Sequence, residues 1–217
     1  MIAKVNGIEL FYEKTGTGRP LVMVHGNGED HKIFDKAVEV LQEHFTCYLV
    51  DSRGHGESSS TEEFHYQDMA EDMIAFLELL QLESVIFYGF SDGGIIGLLA
   101  AMKTDRISHL IASGANASVD GAKRWVYQLM KIGYFFKKDP KVKLMLTEPN
   151  MTDAQLRTIK AKTLVLAGSK DVIREEHTRY LAENIPDSQL RILAGEGHGS
   201  YIVHSEKIAN YILEFAK

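Results

Sequence analysis

Tyr88-Gly89-Phe90-Ser91-Asp92-Gly93-Gly94 stands between the run Ser84-Val85-Ile86-Phe87 and the run Ile95-Ile96-Gly97-Leu98-Leu99-Ala100-Ala101. The first reads as a buried strand and the second as a helix, so the chain turns sharply from one into the other with a serine at the turn. The glycines let two backbone segments pass where side chains would clash. This is the G-x-S-x-G pattern of a nucleophile elbow, which holds its serine exposed and strained at a helix N-terminus. Five residues of this kind also arise by chance, so the reading rests on the strand-turn-helix context and on partners elsewhere in the chain.

Working outward, strand and helix signals alternate. Ala3-Lys4-Val5 and Ile8 to Glu13 flank Asn6-Gly7, a strong short hairpin signal, so the chain opens with an antiparallel pair. Leu21-Val22-Met23-Val24 is continuously apolar, as a strand covered on both faces must be, and runs into His25-Gly26-Asn27-Gly28. Ile33, Phe34, Ala37, Val38 and Leu41 fall at helical spacing. The strand Phe45 to Val50 then ends in the glycine-rich loop Asp51-Ser52-Arg53-Gly54-His55-Gly56-Glu57-Ser58. Met69, Met73, Phe76, Leu77 and Leu80 mark an amphipathic helix before the elbow strand. Downstream, Ile107 to Ala112, Thr163 to Ala167 and Gln189 to Leu193 read as strands, Glu175 to Asn184 and about 205 to 215 as helices. The alternation predicts an α/β protein: a mostly parallel, twisted sheet of about eight strands with helices on both faces.

The rhythm breaks at about residues 118 to 158, which predict a small helical cap inserted into a single domain spanning 1–217. Trp125, Tyr127, Tyr134, Phe135 and Phe136 are interleaved there with Lys123, Arg124, Lys131, Lys137, Lys138, Lys141 and Lys143. The aromatics fit either a pocket roof or a small core within the cap. The cations fit a solvated face better than an entrance for acidic substrates.

The formal charge of −6 gives no general attraction to nucleic acid or anionic lipid, although it leaves room for a local basic patch. Neither a nucleic acid nor a membrane is an expected partner. The lone cysteine, Cys47, lies in a predicted buried strand, where a structural role is expected. The first residues read as a strand rather than a signal peptide, and no apolar run approaches the ~20 residues of a membrane span, so a cytoplasmic protein is expected. The nine histidines show no H-E-x-x-H or comparable spacing, and neither metal nor cofactor is expected.

Asn27, Ser91, Asp171 and His198 each follow a predicted parallel strand, at the sheet edge where ligands bind in open α/β folds. Serine on an elbow followed by aspartate and then histidine is the order found in the α/β-hydrolases. The chain resembles that superfamily along essentially its whole length, through His25-Gly26, Asp51-Ser52-Arg53-Gly54-His55-Gly56-Glu57-Ser58, the elbow, Gly168-Ser169-Lys170-Asp171 and Gly197-His198. Within it, Gly89-Phe90-Ser91-Asp92-Gly93-Gly94-Ile95 and Gly114-Ala115-Asn116-Ala117 look most like the valacyclovir hydrolase (biphenyl hydrolase-like) branch. The cap is shorter than in many relatives and lacks an obvious matching motif.

The resemblance implies a serine hydrolase acting on a small ester through an acyl-enzyme. Ser91 would be the nucleophile, His198 its base, and Asp171 the group that holds the imidazole. The elbow supplies the backbone N–H of Asp92 to an oxyanion hole, and the resemblance puts the second donor at Asn27, with Gly28 as an alternative. After the preceding strand the alternative acid position holds Asn116, which favours Asp171 over the more distant Asp120 and Asp153. Asp51, Arg53, His55 and His25 read as loop architecture. Asp92 invites two readings: a carboxylate in a first helical turn suits the macrodipole, while in the branch this chain resembles the matching acid binds a substrate ammonium group. Lactone, thioester or carbon–carbon bond cleavage would use the same three groups, and a non-catalytic ligand-binding protein on the same fold is a further alternative.

Overall fold

The computed structural model describes residues 1–217. Asn6 and Gly7 both have positive φ, 47° and 79°, as a type I′ hairpin turn requires. They join β1 (Ile2–Val5) to β2 (Ile8–Thr15) in an antiparallel pair. From there the chain winds a parallel sheet: β3 (Arg19–Val24), β4 (Phe45–Val50), β5 (Val85–Phe90), β6 (Ile107–Ser113), β7 (Lys162–Gly168) and β8 (Ser188–Leu193). The spatial order is β1-β2-β4-β3-β5-β6-β7-β8, eight strands in all. Only the contacts of β2, with β1 and with β4, are antiparallel.

Side chains alternate between two cores, one on each face. Val22, Val24, Val85 and Phe87 point to a core closed by α2 (Tyr66–Leu79) and α3 (Asp92–Ala101). Leu21, Met23, Ile86, Tyr88 and Phe90 point to the other, closed by α1 (Asp35–Leu41) and the C-terminal helix Lys207–Phe215. Cys47 belongs to this second core, and burial pushes its thiol pKa up to about 12, which suits packing rather than chemistry.

Between β6 and β7 lie a short 3₁₀ turn (Val119–Gly121) and three helices, α4 (Arg124–Lys137), α5 (Pro140–Thr147) and α6 (Asp153–Leu156). This segment is tied to the sheet edge by backbone bonds: Met151 N–H to Ala117 C=O (2.8 Å), Lys123 N–H to Val172 C=O (2.9 Å) and Arg174 N–H to Gly121 C=O (2.8 Å). The helix α7 (Glu175–Asn184) and the C-terminal helix, α8 (Lys207–Phe215), complete the fold.

Strand order fixes which loops meet. β5, β6, β7 and β8 are consecutive neighbours, so the residues that follow them, Ser91, Gly114, Asp171 and His198, converge at one edge. β3 flanks β5 on the other side, with Val24 paired to Gly89, and brings His25 to Gly28 beside the elbow.

Candidate active site

The elbow is tight because three glycines have no room for a side chain. A Cβ on Gly89 would lie 2.1 Å from the Gly93 carbonyl oxygen, one on Gly93 2.1 Å from the Val24 carbonyl oxygen, and one on Gly94 2.9 Å from Ala115 Cβ. Ser91 takes φ 52° and ψ −112°, a conformation that costs a non-glycine residue of order 1–3 kcal/mol. Its N–H donates to Ser113 C=O (2.7 Å) on β6, and its carbonyl accepts from Gly94 and Ile95 N–H. The strain is therefore held from both sides.

Ser91 Oγ lies 3.1 Å from His198 Nε2, and His198 Nδ1 lies 2.7 Å from Asp171 Oδ1. With Asp171 as acceptor, Nδ1 carries the proton and Nε2 presents a lone pair to the serine hydroxyl, the arrangement needed to receive its proton. Asp171 Oδ1 also accepts from Ile173 N–H (2.9 Å). Burial pushes the Asp171 carboxyl up, but the hydrogen bond from His198, its electrostatic attraction and the Ile173 N–H outweigh it, so the group stays below the usual carboxylate range. The imidazole packs beside the Phe90 ring (centroids 4.9 Å apart) and over Gly114, where a Cβ would meet His198 Cε1 at 2.8 Å. Gly114 also sits at φ +63°, so both space and backbone call for glycine there.

The backbone N–H groups of Asn27, Gly28 and Asp92 donate to no acceptor in the protein. Free donors at a helix N-terminus and on the adjacent loop suit a developing negative charge. His25 braces that loop. Its Nδ1–H donates to Gly26 C=O (2.7 Å) and its Nε2 accepts from Ser52 N–H (3.1 Å), so both ring nitrogens are committed and the buried ring is neutral. Asp51 organises the next loop, accepting from the N–H (2.7 Å) and Nδ1 (2.9 Å) of His31 and from Glu57 N–H (2.9 Å). Arg53 forks onto Asp72 at 2.6 and 2.8 Å.

Asp92 is buried. Its Oδ2 accepts from the Asn27 amide (2.9 Å) and its Oδ1 from Tyr66 OH (2.8 Å), both neutral donors. Burial raises its pKa, and the two hydrogen bonds only partly offset that. The Asn27 amide donates onward to Lys141 C=O (3.3 Å), so one side chain links the loop after β3, the elbow and α5.

A cavity of about 270 Å³ opens onto Ser91 and His198. Gly26, Asn27, Glu29, Tyr66, Phe90, Asp92, Asn116, Val172 and Ile173 line it from the sheet edge, and Val119, Ala122, Val126, Met130, Met145 and Glu148 from the segment between β6 and β7. Of the expected cap aromatics none lines this cavity: Trp125, Phe135 and Phe136 are exposed, because the face of α4 that carries them turns away from it. The cap cations are likewise absent from the lining. Asn116 holds its own turn, donating to Ser118 C=O (2.8 Å), while Asp153 accepts from Tyr180 OH.

Three lining groups were not singled out in the sequence. Glu29 accepts from Gly26 N–H (3.0 Å) through Oε2, and burial raises its pKa. Glu148 accepts from His65 Nδ1 (2.6 Å) and Tyr66 N–H (3.0 Å), and Tyr66 reaches Asp92. Glu29 adjoins the His25-Gly26-Asn27-Gly28 stretch and was findable from that position. Tyr66 and Glu148 lie at helix ends that meet only in the tertiary structure.

The sheet and its loops have the arrangement of an α/β-hydrolase, and comparison with known proteins agrees on the fold. Residues 19–144 match the family model described as alpha/beta hydrolase fold, and the chain belongs to that superfamily. The AB hydrolase superfamily protein YisY of Bacillus subtilis (strain 168) is 30% identical, with 96% of each chain covered. The serine hydrolase BPHL of Homo sapiens is 24% identical over 97% of this chain and 84% of its own length. A thermophilic esterase from Thermogutta terrifontis superposes with a TM-score of 0.80 at 23% identity, covering 99% of this chain and 96% of that one.

Proposed function

We propose that this protein is a serine hydrolase that cleaves small carboxylic esters through an acyl-enzyme, with Ser91, His198 and Asp171 as the reacting triad. The observation that carries the reading is the unbroken chain of hydrogen bonds from Asp171 Oδ1 through both nitrogens of His198 to Ser91 Oγ, 2.7 and 3.1 Å long. A serine hydroxyl is a weak nucleophile near neutral pH, so His198 Nε2 removes its proton as Oγ attacks the ester carbonyl and returns it to the departing alkoxide. Water, giving a proton to His198, then attacks the acyl-enzyme carbonyl; the bond to Ser91 Oγ breaks, the acyl group leaves as the carboxylic acid, and His198 returns the proton to Oγ. Asp171 holds the imidazole in the right tautomer and stabilises the imidazolium. The tetrahedral oxyanion is received by the free backbone N–H groups of Asn27 and Asp92, each such donor being worth ~10²–10³ in rate. Two names among similar proteins, serine hydrolase and esterase, support the same class.

The test is covalent. A fluorophosphonate should label Ser91, with labelling and p-nitrophenyl ester turnover both lost in Ser91→Ala and labelling suppressed in His198→Ala. Correctly folded protein that neither labels nor turns over any ester would leave a ligand-binding role as the better account.

The cavity also favours one kind of ester. Its lining holds three carboxylates, Glu29, Asp92 and Glu148, and neither lysine nor arginine. Glu148 is already paired with His65, whereas Asp92 and Glu29 face only neutral donors. A substrate amine would supply the missing cation, so amino-acid-like esters with a free amine are the preferred substrates. Asp92→Asn should then lower kcat/KM more for an amine-bearing ester than for a neutral ester of equal acyl size. An equal loss for both would reduce Asp92 to its structural part in holding Asn27.

A further inference from the structure

α4 is unlike every other helix in the chain, for it buries no side chain at all. Of eight large apolar residues left exposed by the fold, five sit on it: Trp125, Leu129, Ile132, Phe135 and Phe136, with exposures of 56–77%. Trp125, Leu129, Ile132 and Phe136 follow one another at intervals of four, three and four residues, so they form one stripe along the helix. Single exposed apolar residues need no explanation, but a continuous stripe marks an interaction surface.

The charges beside the stripe say what kind of partner it suits. Residues 121–138 contain Lys123, Arg124, Lys131, Lys137 and Lys138 and not one carboxylate, in a chain whose formal charge is −6. With Asp120 and Asp139 at its two ends counted, the segment still carries a local positive excess that the net charge conceals. A twofold contact between copies through this face would set five cations against five, which opposes self-association there. An anionic lipid surface meets both features at once, accepting the apolar stripe into the headgroup boundary while the long cationic side chains, which leave the helix about 100° or more from the stripe, bend back to the phosphates. At 14 residues α4 is about 21 Å long, too short to cross a hydrocarbon core of ~30 Å, and no helix of the chain is long and apolar enough to do so. Such a helix lies in the interface plane.

We propose that α4 docks this protein on an anionic lipid surface through the Trp125, Leu129, Ile132 and Phe136 stripe. A different face of the same helix sends Val126 and Met130 into the cavity. Docking through the stripe therefore leaves the cavity on the side of α4 away from the lipid. The docking does not rest on the hydrolase reading.

Co-sedimentation of the purified full chain with two kinds of vesicle tests the proposal. Phosphatidylcholine vesicles containing a third phosphatidylglycerol should bind at least about tenfold more protein than phosphatidylcholine alone, with binding weakening as salt is raised. The double variant Leu129→Ser/Phe136→Ser and the triple variant Lys131→Glu/Lys137→Glu/Lys138→Glu should each lose about tenfold or more. Neither set of side chains lines the cavity, so circular dichroism and any turnover of a water-soluble ester should stay as in the parent. No binding to the mixed vesicles, equal binding to both kinds, or binding that survives both variants overturns the proposal. Light scattering that finds a dimer, converted to monomer by the Leu129→Ser/Phe136→Ser variant, overturns it too and assigns the stripe to a second copy. Vesicle binding with no ester turnover would leave docking standing and remove the hydrolase reading instead.

Discussion

α3 and α4 are both rich in apolar residues and meet opposite fates. Nine of the ten residues of α3 are buried, and its first turn threads glycines past the backbone of β3. None of the fourteen residues of α4 is buried. The first helix is fixed by what surrounds it on every side, the second by backbone ties at the ends of its segment. A serine held in a strained conformation, as Ser91 is, needs the first kind of support, since its geometry must be over-determined by neighbours. A surface that meets varied or soft partners does better with the second.

Loosening the rigid side has the largest expected effect. Asp171→Asn keeps the size of the side chain but lets its amide donate to His198, favouring the tautomer that points a proton at Ser91. On the proposed mechanism kcat should fall by about 10⁴, with little change in KM. Steady-state kinetics on p-nitrophenyl butyrate would read it, and a loss under tenfold would remove Asp171 from the reaction. Gly93→Ala probes the elbow packing, read by stability rather than by turnover. The new Cβ would stand 2.1 Å from the Val24 carbonyl oxygen, with backbone rather than a movable side chain in the way. A loss of about 3 kcal/mol in urea unfolding is expected. A cost below 1 kcal/mol would mean that β3 and α3 are less tightly locked than they look.

The same contrast explains how much was legible in the sequence. Central strands such as Leu21-Val22-Met23-Val24 announce themselves because both faces are buried, leaving no room for polar residues. Ser91 and Asp171 were recognisable because each follows such a strand, and His198 because it stands in the glycine-rich turn after the part-buried edge strand β8; the strand order then brings those ends together. Tyr66 and Glu148 escaped because a helix's pattern records which face is apolar, not which distant helix end its terminus will meet. α4 escaped for a related reason. Its aromatics imply a buried face, and only the structure reveals that the stripe has no partner within the chain.

Two buried carboxylates sharpen the comparison within the site itself. Asp171 faces His198 and is held below the usual carboxylate range, so its contribution to stability is present above the unfolded value of about 3.9 and is lost as pH falls through its lower folded value. Asp92 has only neutral donors, and burial raises its pKa. The sign reverses: the folded state holds the proton more tightly than the unfolded chain, so stability declines as pH rises from about 3.9 through the raised value. Glu29, raised by burial as well, acts in the same direction. Subtracting the pH profile of urea-unfolding stability of Asp92→Asn from that of the parent should leave a difference that falls with pH just above 4. A flat difference would mean that Asp92 carries its charge in the folded protein without cost.

The smallest expected effect lies on the loose side and has the opposite sign to the glycine change in the elbow. Gly133 is in the interior of α4, and a Cβ there would meet nothing within 4 Å. Glycine in a helix interior is less favourable than alanine by about 0.5–1 kcal/mol, because the unfolded chain has more freedom to lose. Gly133→Ala should therefore stabilise the helix locally where Gly93→Ala disrupts the fold. If α4 is one cooperative unit with the sheet, the gain appears in global unfolding. If it opens on its own, the gain appears only as slower amide exchange along residues 124–137, with the unfolding midpoint unchanged. Loss of stability on either measure would show that α4 packs against more of the protein than its exposed side chains indicate, and the contrast between the two helices would fail.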